Sequence, residues 1–149
     1  TLREPTTTVK AVGTKEKPKT ASKGYFNWPT SSRRINSYFG GRNLWGRYDY
    51  HSGLDIHATY GEGIKAADGG TVTRAGWHNS YGYLVVIKHD NGIETYYAHN
   101  SSLVVSVGEK VYQGQVIARA GSTGNSSGVH CHFEVRVRGS AVNPLNYLR

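Results

Sequence analysis

Five residues of this chain are of types, and at spacings, that can do chemistry together: His51, Asp55, His99, His130 and His132. His51 and Asp55 are four apart, which puts both side chains on one face of a strand, and equally on one face of a helix. The pair can grip one ion, but the spacing alone is not specific. His130-Cys131-His132 lies in residues 129–135, where apolar and polar residues alternate. In an extended strand Val129, Cys131, Phe133 and Val135 point one way, and His130, His132 and Glu134 the other. Two imidazoles on one strand face stand about 6.5–7 Å apart at the backbone. Their rings can converge on a metal, or one can bind it while the other serves the reaction beside it. His99 closes Thr95-Tyr96-Tyr97-Ala98-His99 and on its own reads as a strand-end histidine.

The elements that must position these residues read as β-structure. Residues 84–89 and 94–99 are apolar, β-branched runs separated by Asp90-Asn91-Gly92, and Asn-Gly between two such runs signals a hairpin. Residues 103–107 and 115–120 read as two more strands, and residues 129–137 as a last one. Helical periodicity is absent apart from a turn near residues 144–148. The expected fold is all-β, with antiparallel sheets forming an open groove, short Gly-rich loops and little helix. It should occupy residues 25–149. Residues 1–24, rich in Thr, Lys and Pro, read as a linker or the tail of an upstream surface module. Within them Ala11-Val12-Gly13-Thr14-Lys15 looks like the closing strand of a glycine-rich repeat module of Gram-positive surface proteins.

Taken together, these pieces resemble the LytM/lysostaphin-type zinc metallopeptidases, which cut peptide bonds in bacterial peptidoglycan. His51…Asp55 matches that family's H-x-x-x-D, His130…His132 its H-x-H, and Tyr97-Ala98-His99 its internal histidine. Phe39-Gly40, Val85-Val86-Ile87-Lys88-His89, Val107-Gly108-Glu109-Lys110-Val111, Gly114-Gln115-Val116-Ile117, Gly121-Ser122-Thr123-Gly124 and Val142-Asn143-Pro144-Leu145 agree in order. The resemblance covers residues 25–149. It implies one Zn2+ per domain held by His51, Asp55 and His132, with His99 and His130 as the catalytic pair. It also implies a secreted or wall-associated endopeptidase whose partners are peptidoglycan peptides, and a monomer is expected.

Such a set suits amide hydrolysis. Three protein ligands leave one position of tetrahedral zinc open, the mark of a catalytic site. Zinc lowers the pKa of a bound water from about 15.7 towards ~7 and polarises a carbonyl. A neutral imidazole can take the water proton and pass it to the leaving amine, while a second donates to the oxyanion. No H-E-x-x-H helix supplies a glutamate base, so His99 and His130 fill that role, and sequence leaves open which is the base.

The remaining candidates read more plainly. Cys131 departs from the family's usual aliphatic residue, and its alternation predicts a buried thiol rather than a fourth ligand. His78 and His89 read as exposed residues at turns or strand ends, and His57 as structural, although it shares the Asp55 face. Trp45, Tyr48, Tyr50, Tyr60, Tyr81 and Tyr83 could wall a groove or pack sheet edges. The Gly/Ser-rich loop 122–128 borders the site, and it lacks the Lys-Ser/Thr and helix of a phosphate cradle. A metal-binding but catalytically silent wall-binding or hydrolase-activating module is one rival reading. A lipoyl- or biotinyl-type carrier is another, since residues 63–76 and 107–120 resemble its paired strands, but Lys88 and Lys110 lie in no acceptor motif.

Composition sets outer bounds. Nineteen glycines and eleven tyrosines favour tight turns and strands. The net charge of +8 favours anionic partners such as an acidic wall polymer. It divides evenly, +4 in residues 1–24 and +4 in the rest, with no dense Lys/Arg run, so nucleic acid is not expected. The single cysteine excludes an intramolecular disulfide. No apolar run approaches the ~18–20 residues of a membrane span, and no leader is visible at Thr1.

Overall fold

The computed structural model describes residues 19–44, 47–124, 126 and 128–149. Twelve strands are seen among them, and the one helical element is a 3-10 turn at Pro144–Asn146. In chain order these are β1 Ile35–Ser37, β2 Gly40–Leu44, β3 Arg47–His51, β4 Leu54–His57, β5 Gly63–Lys65 and β6 Gly70–His78. Then follow β7 Gly82–Lys88, β8 Ile93–Leu103, β9 Lys110–Val111, β10 Val116–Ala120, β11 His130–Val137 and β12 Ser140–Val142. A ten-stranded sheet runs in the order β9-β6-β7-β8-β11-β4-β1, with β10 on β8 and β5, and β12 on β11. The pair β2–β3 forms a separate ribbon. Every strand pairing is antiparallel, as expected.

The β7–β8 hairpin turns where Asn-Gly predicted it. Gly92 takes φ 79°, its N–H donates to His89 O, and the His89 N–H donates to Ile93 O. One expected strand is corrected. Residues 103–107 do not form a strand of their own, because β8 runs unbroken through Leu103 and ends there. The reason lies at His99, which adopts φ 63° without terminating the strand. Before it β8 pairs with β11, up to His132 opposite Ala98; after it β8 pairs with β10, from Asn100 opposite Ala120. His99 is therefore the bend at which one strand passes between two partners.

The alternation of β11 has the predicted consequence. Cys131, Phe133 and Val135 enter the main core with Leu54, Ile56, Val85, Ile87 and Tyr97. On the opposite face a smaller apolar cluster of Leu84, Val86 and Ala98, flanked by Tyr81 and Tyr96, backs the polar residues of β11. Residues 22–24 are tied to this body: the Lys23 and Gly24 N–H groups donate to the Asp68 carboxylate, and Ser22 N–H to Asp90. The residue 11–15 motif, Trp45 and the side chain of Tyr48 lie outside the described residues. No helix among the described residues is long and apolar enough to cross a membrane.

Candidate metal centre

Register brings the centre together. Strand β4 lies antiparallel to β11 with Asp55 directly opposite His132 and His57 opposite His130. Cross-strand neighbours share a sheet face, so Asp55 and His132 meet while Leu54 and Ile56 enter the core. His51 ends β3, and Ser52-Gly53 carry the chain into β4. Gly53 permits this close turn: a Cβ there would meet the Phe133 carbonyl oxygen at 2.5 Å and Glu134 Cγ at 2.8 Å.

Ligand atoms of His51, Asp55 and His132 all lie within 4.8 Å of one another, and this is the only such donor cluster found among the described residues. His51 Nε2 is 3.3 Å from Asp55 Oδ2, and His132 Nδ1 is 2.9 Å from Asp55 Oδ1. The outer nitrogen of each ring is occupied. His51 Nδ1–H donates to the Tyr38 carbonyl at 3.0 Å, and His132 Nε2–H donates to Glu134 Oε2 at 2.8 Å. Each imidazole thus turns its other nitrogen inward, as metal-ligating histidines do. Two imidazoles, each with its outer nitrogen engaged, and a carboxylate fit the donor set of a zinc site.

The protein charges respond to this crowding. Burial pushes the Asp55 carboxyl up, but hydrogen bonds from His132 and His51 outweigh it and hold it well below the usual carboxylate range. For His132 burial opposes protonation, yet the bonds to Asp55 and Glu134 raise it to about 9. Among protein atoms alone, then, a proton on Nδ1 stands where a cation would be held.

His99 and His130 lie alongside, with ring centroids 5.4 Å apart; His99 is 5.7 Å from the His132 ring. Burial lowers the pKa of both rings, against the opposing pull of Thr123 on His99 and of Asp55 on His130. Both are therefore neutral near pH 7. His99 Nδ1–H donates to the Thr123 carbonyl at 2.6 Å, leaving Nε2 with a free lone pair. His130 Nε2 lies 3.5 Å from Asp55 Oδ1. The segment Thr123-Gly124, through the Thr123 carbonyl, orients the His99 ring. It is clasped to residues 80–82, because a Cβ on Gly124 would strike Gly82 N at 2.4 Å and one on Gly82 would strike Thr123 Oγ1 at 2.4 Å.

Other sequence expectations fare variously. Cys131 is a buried thiol whose pKa burial pushes up, and it faces the core. His57 faces His130 across the strands without joining the donor cluster. His78 closes β6, its Nδ1 accepting the Ser80 and Tyr81 N–H groups. His89 is not exposed: it is 2% accessible, packs on Phe26 and bonds through both ring nitrogens. Tyr50 and Tyr60 are exposed and Tyr83 is partly so, whereas Tyr81 turns inward and donates its hydroxyl to Glu134 at 2.6 Å. Sequence reading missed the parts played by Tyr38, Ser52, Tyr81, Thr123 and Arg136. The one available signal was Glu134 on the histidine face of β11.

Fold and donor set define a class: an antiparallel β scaffold presenting a His–Asp–His cluster able to bind a metal, with two further imidazoles beside it. The chain belongs to peptidase family M23, whose sequence model, described as Peptidase family M23, matches residues 49–144. The DD-carboxypeptidase/endopeptidase Mpg of Neisseria meningitidis is 41% identical over 127 residues, which is 83% of this chain and 29% of Mpg. The murein hydrolase activator NlpD of Escherichia coli is 40% identical over 124 residues, 83% of this chain and 31% of NlpD. A zinc containing peptidase from Vibrio cholerae superposes with TM-score 0.76 at 33% identity, over 82% of this chain and 39% of that one. The chain spans about three tenths of the length of the curated relatives it matches.

Proposed function

We propose that this chain is a zinc-dependent endopeptidase acting on the stem or cross-bridge peptides of bacterial peptidoglycan, outside the cytoplasm. The observation that supports the reading is a His–Asp–His donor cluster with two further imidazoles beside it. His51, Asp55 and His132 converge, and two neutral imidazoles stand beside them. His51 Nε2, an Asp55 oxygen and His132 Nδ1 would hold one zinc ion. Bound there, zinc would supply Lewis acidity, acidifying a water and polarising the scissile carbonyl.

The chain's own residues do the rest. His99, fixed by its Nδ1–H bond to Thr123, offers Nε2 as the general base and returns the proton to the leaving amine. His130 would donate to the developing oxyanion. The zinc content of the Vibrio cholerae neighbour and the endopeptidase named in the Neisseria relative support this reading.

The likeness to NlpD, named an activator of murein hydrolases, favours a second reading: a silent module that stimulates another wall hydrolase. The test is digestion of purified peptidoglycan from several species, with mass spectrometry of the products. New peptide termini from the zinc-loaded protein alone, absent with His130→Ala, are expected. No cleavage by the protein alone, together with enhanced wall digestion by an added murein hydrolase, would replace the enzyme reading with the activator.

A further inference from the structure

We propose that Glu134 is a positioning residue for the metal centre: its carboxylate fixes which nitrogen of His132 is turned to the metal and ties the His51–Asp55 turn to β11. The proposal rests on His132 being a zinc ligand. Glu134 is fully buried, 0% accessible, two residues beyond His132 on the same face. Oε2 accepts three hydrogen bonds, from His132 Nε2–H at 2.8 Å, Ser52 Oγ–H at 2.8 Å and Tyr81 O–H at 2.6 Å. Oε1 takes two from Arg136, Nε at 2.7 Å and an Nη2 contact at 2.6 Å.

Every surrounding group is a donor, so the pocket suits an anion that brings no proton of its own. With Nε2–H committed to Glu134, the His132 lone pair is left at Nδ1, the nitrogen that faces Asp55. Outer carboxylates of this kind fix the tautomer and raise the basicity of a ligating imidazole. Ser52 follows His51 directly, so one carboxylate braces both ligand-bearing segments, across 82 residues of sequence. The Gly53 approach to Glu134 Cγ brings the turn close enough for this bond. Tyr81 and Arg136 complete the ring: Arg136 Nη2–H also donates to the Tyr81 hydroxyl at 3.2 Å, and the Tyr81 ring lies 5.7 Å from that of His132.

The experiment measures the zinc dissociation constant of the folded chain by chelator competition, the visible spectrum of its cobalt(II) form and the melting temperature without metal. Glu134→Gln is expected to weaken zinc binding about 10–100-fold and to alter the cobalt spectrum. Ser52→Ala should weaken it less. A merely structural Glu134 would lower the melting temperature and leave both metal readouts unmoved, which would overturn the proposal. Should Glu134→Gln not fold, Tyr81→Phe decides: weaker zinc binding supports the role, and wild-type affinity refutes it. If His132→Ala binds zinc as tightly as wild type, the reading of the centre itself fails, and the proposal with it.

Discussion

Two buried histidines in this protein each have both ring nitrogens hydrogen-bonded, yet they are built for opposite purposes. His89 Nδ1 faces the Gly69 carbonyl at 2.8 Å, and its Nε2 faces Thr95 Oγ1 at 2.9 Å. A hydroxyl can donate as well as accept, so a neutral ring satisfies both contacts. The chain of bonds continues: Tyr97 O–H donates to Thr95, and Tyr97 in turn accepts the Ala67 N–H. Protonating His89 would make Thr95 accept from the ring and leave one of the two buried hydroxyl protons, of Thr95 or Tyr97, without an acceptor. Burial accordingly lowers the His89 pKa, against its bond to Gly69.

His132 instead has a carboxylate on each side, Asp55 at Nδ1 and Glu134 at Nε2. Neither partner donates when ionised, so a neutral imidazole leaves one contact as lone pair against anion. Either a second proton or a metal must fill the gap. The lesson is that burial and saturation do not distinguish a structural histidine from a ligand. The sign of its partners does: His89 is complete as it stands, and His132 is complete only with a cation.

The contrast can be broken most forcefully by truncation. His132→Ala is expected to abolish both bound zinc, measured by elemental analysis, and peptidoglycan turnover. His89→Ala should leave zinc content and turnover per folded molecule unchanged. Zinc retained by the first variant or lost from the second would erase the distinction. Next in size is the pair proposed to act beside the metal. His99→Ala and His130→Ala should keep zinc while turnover falls by about 10²–10⁴-fold. Full activity in His130→Ala would remove it from the mechanism.

The smaller effects sharpen the structural side. His89→Ala leaves the Gly69 carbonyl and Thr95 hydroxyl without their partner and should destabilise the fold by about 1–3 kcal/mol in denaturant titration. Its charge state gives a further, smaller handle. Because the folded His89 pKa lies below that of the unfolded chain, the unfolded state takes up the proton first as pH falls. The stability contributed by neutral His89 is full above about pH 6.5 and declines as pH drops through that value. Wild type should therefore lose stability faster than His89→Gln between about pH 7 and pH 5. Parallel slopes would mean that His89 is not held neutral.

Much of this was legible in the sequence, for physical reasons that can be named. Asn91-Gly92 marks its hairpin because a positive φ is needed there, and the 129–137 alternation separates core from site because strand side chains repeat every two residues. Four of the five candidate residues fall in two short motifs, His51…Asp55 and His130…His132, and Asp55 meets His132 once register aligns β4 with β11. What stayed hidden depends on pairings between distant segments. His99 looked like a strand end, since nothing local reveals that β8 changes partner there with φ 63°. His89 looked exposed because its enclosing groups, Gly69 and Phe26, are remote in sequence. Glu134 was placed on the correct face, but its saturation needs Ser52 and Tyr81, and Tyr81 itself read as a groove wall.

The most direct measurement is a zinc titration of the nitrogen-15-labelled protein, following the side-chain signals of every histidine by NMR. His51 and His132 are expected to shift at one equivalent, with His132 losing its Nδ1 proton and keeping Nε2–H, while His89 stays unchanged and neutral throughout. Zinc that leaves His51 and His132 unmoved, or that binds His132 through Nε2, would contradict the assignment of the centre.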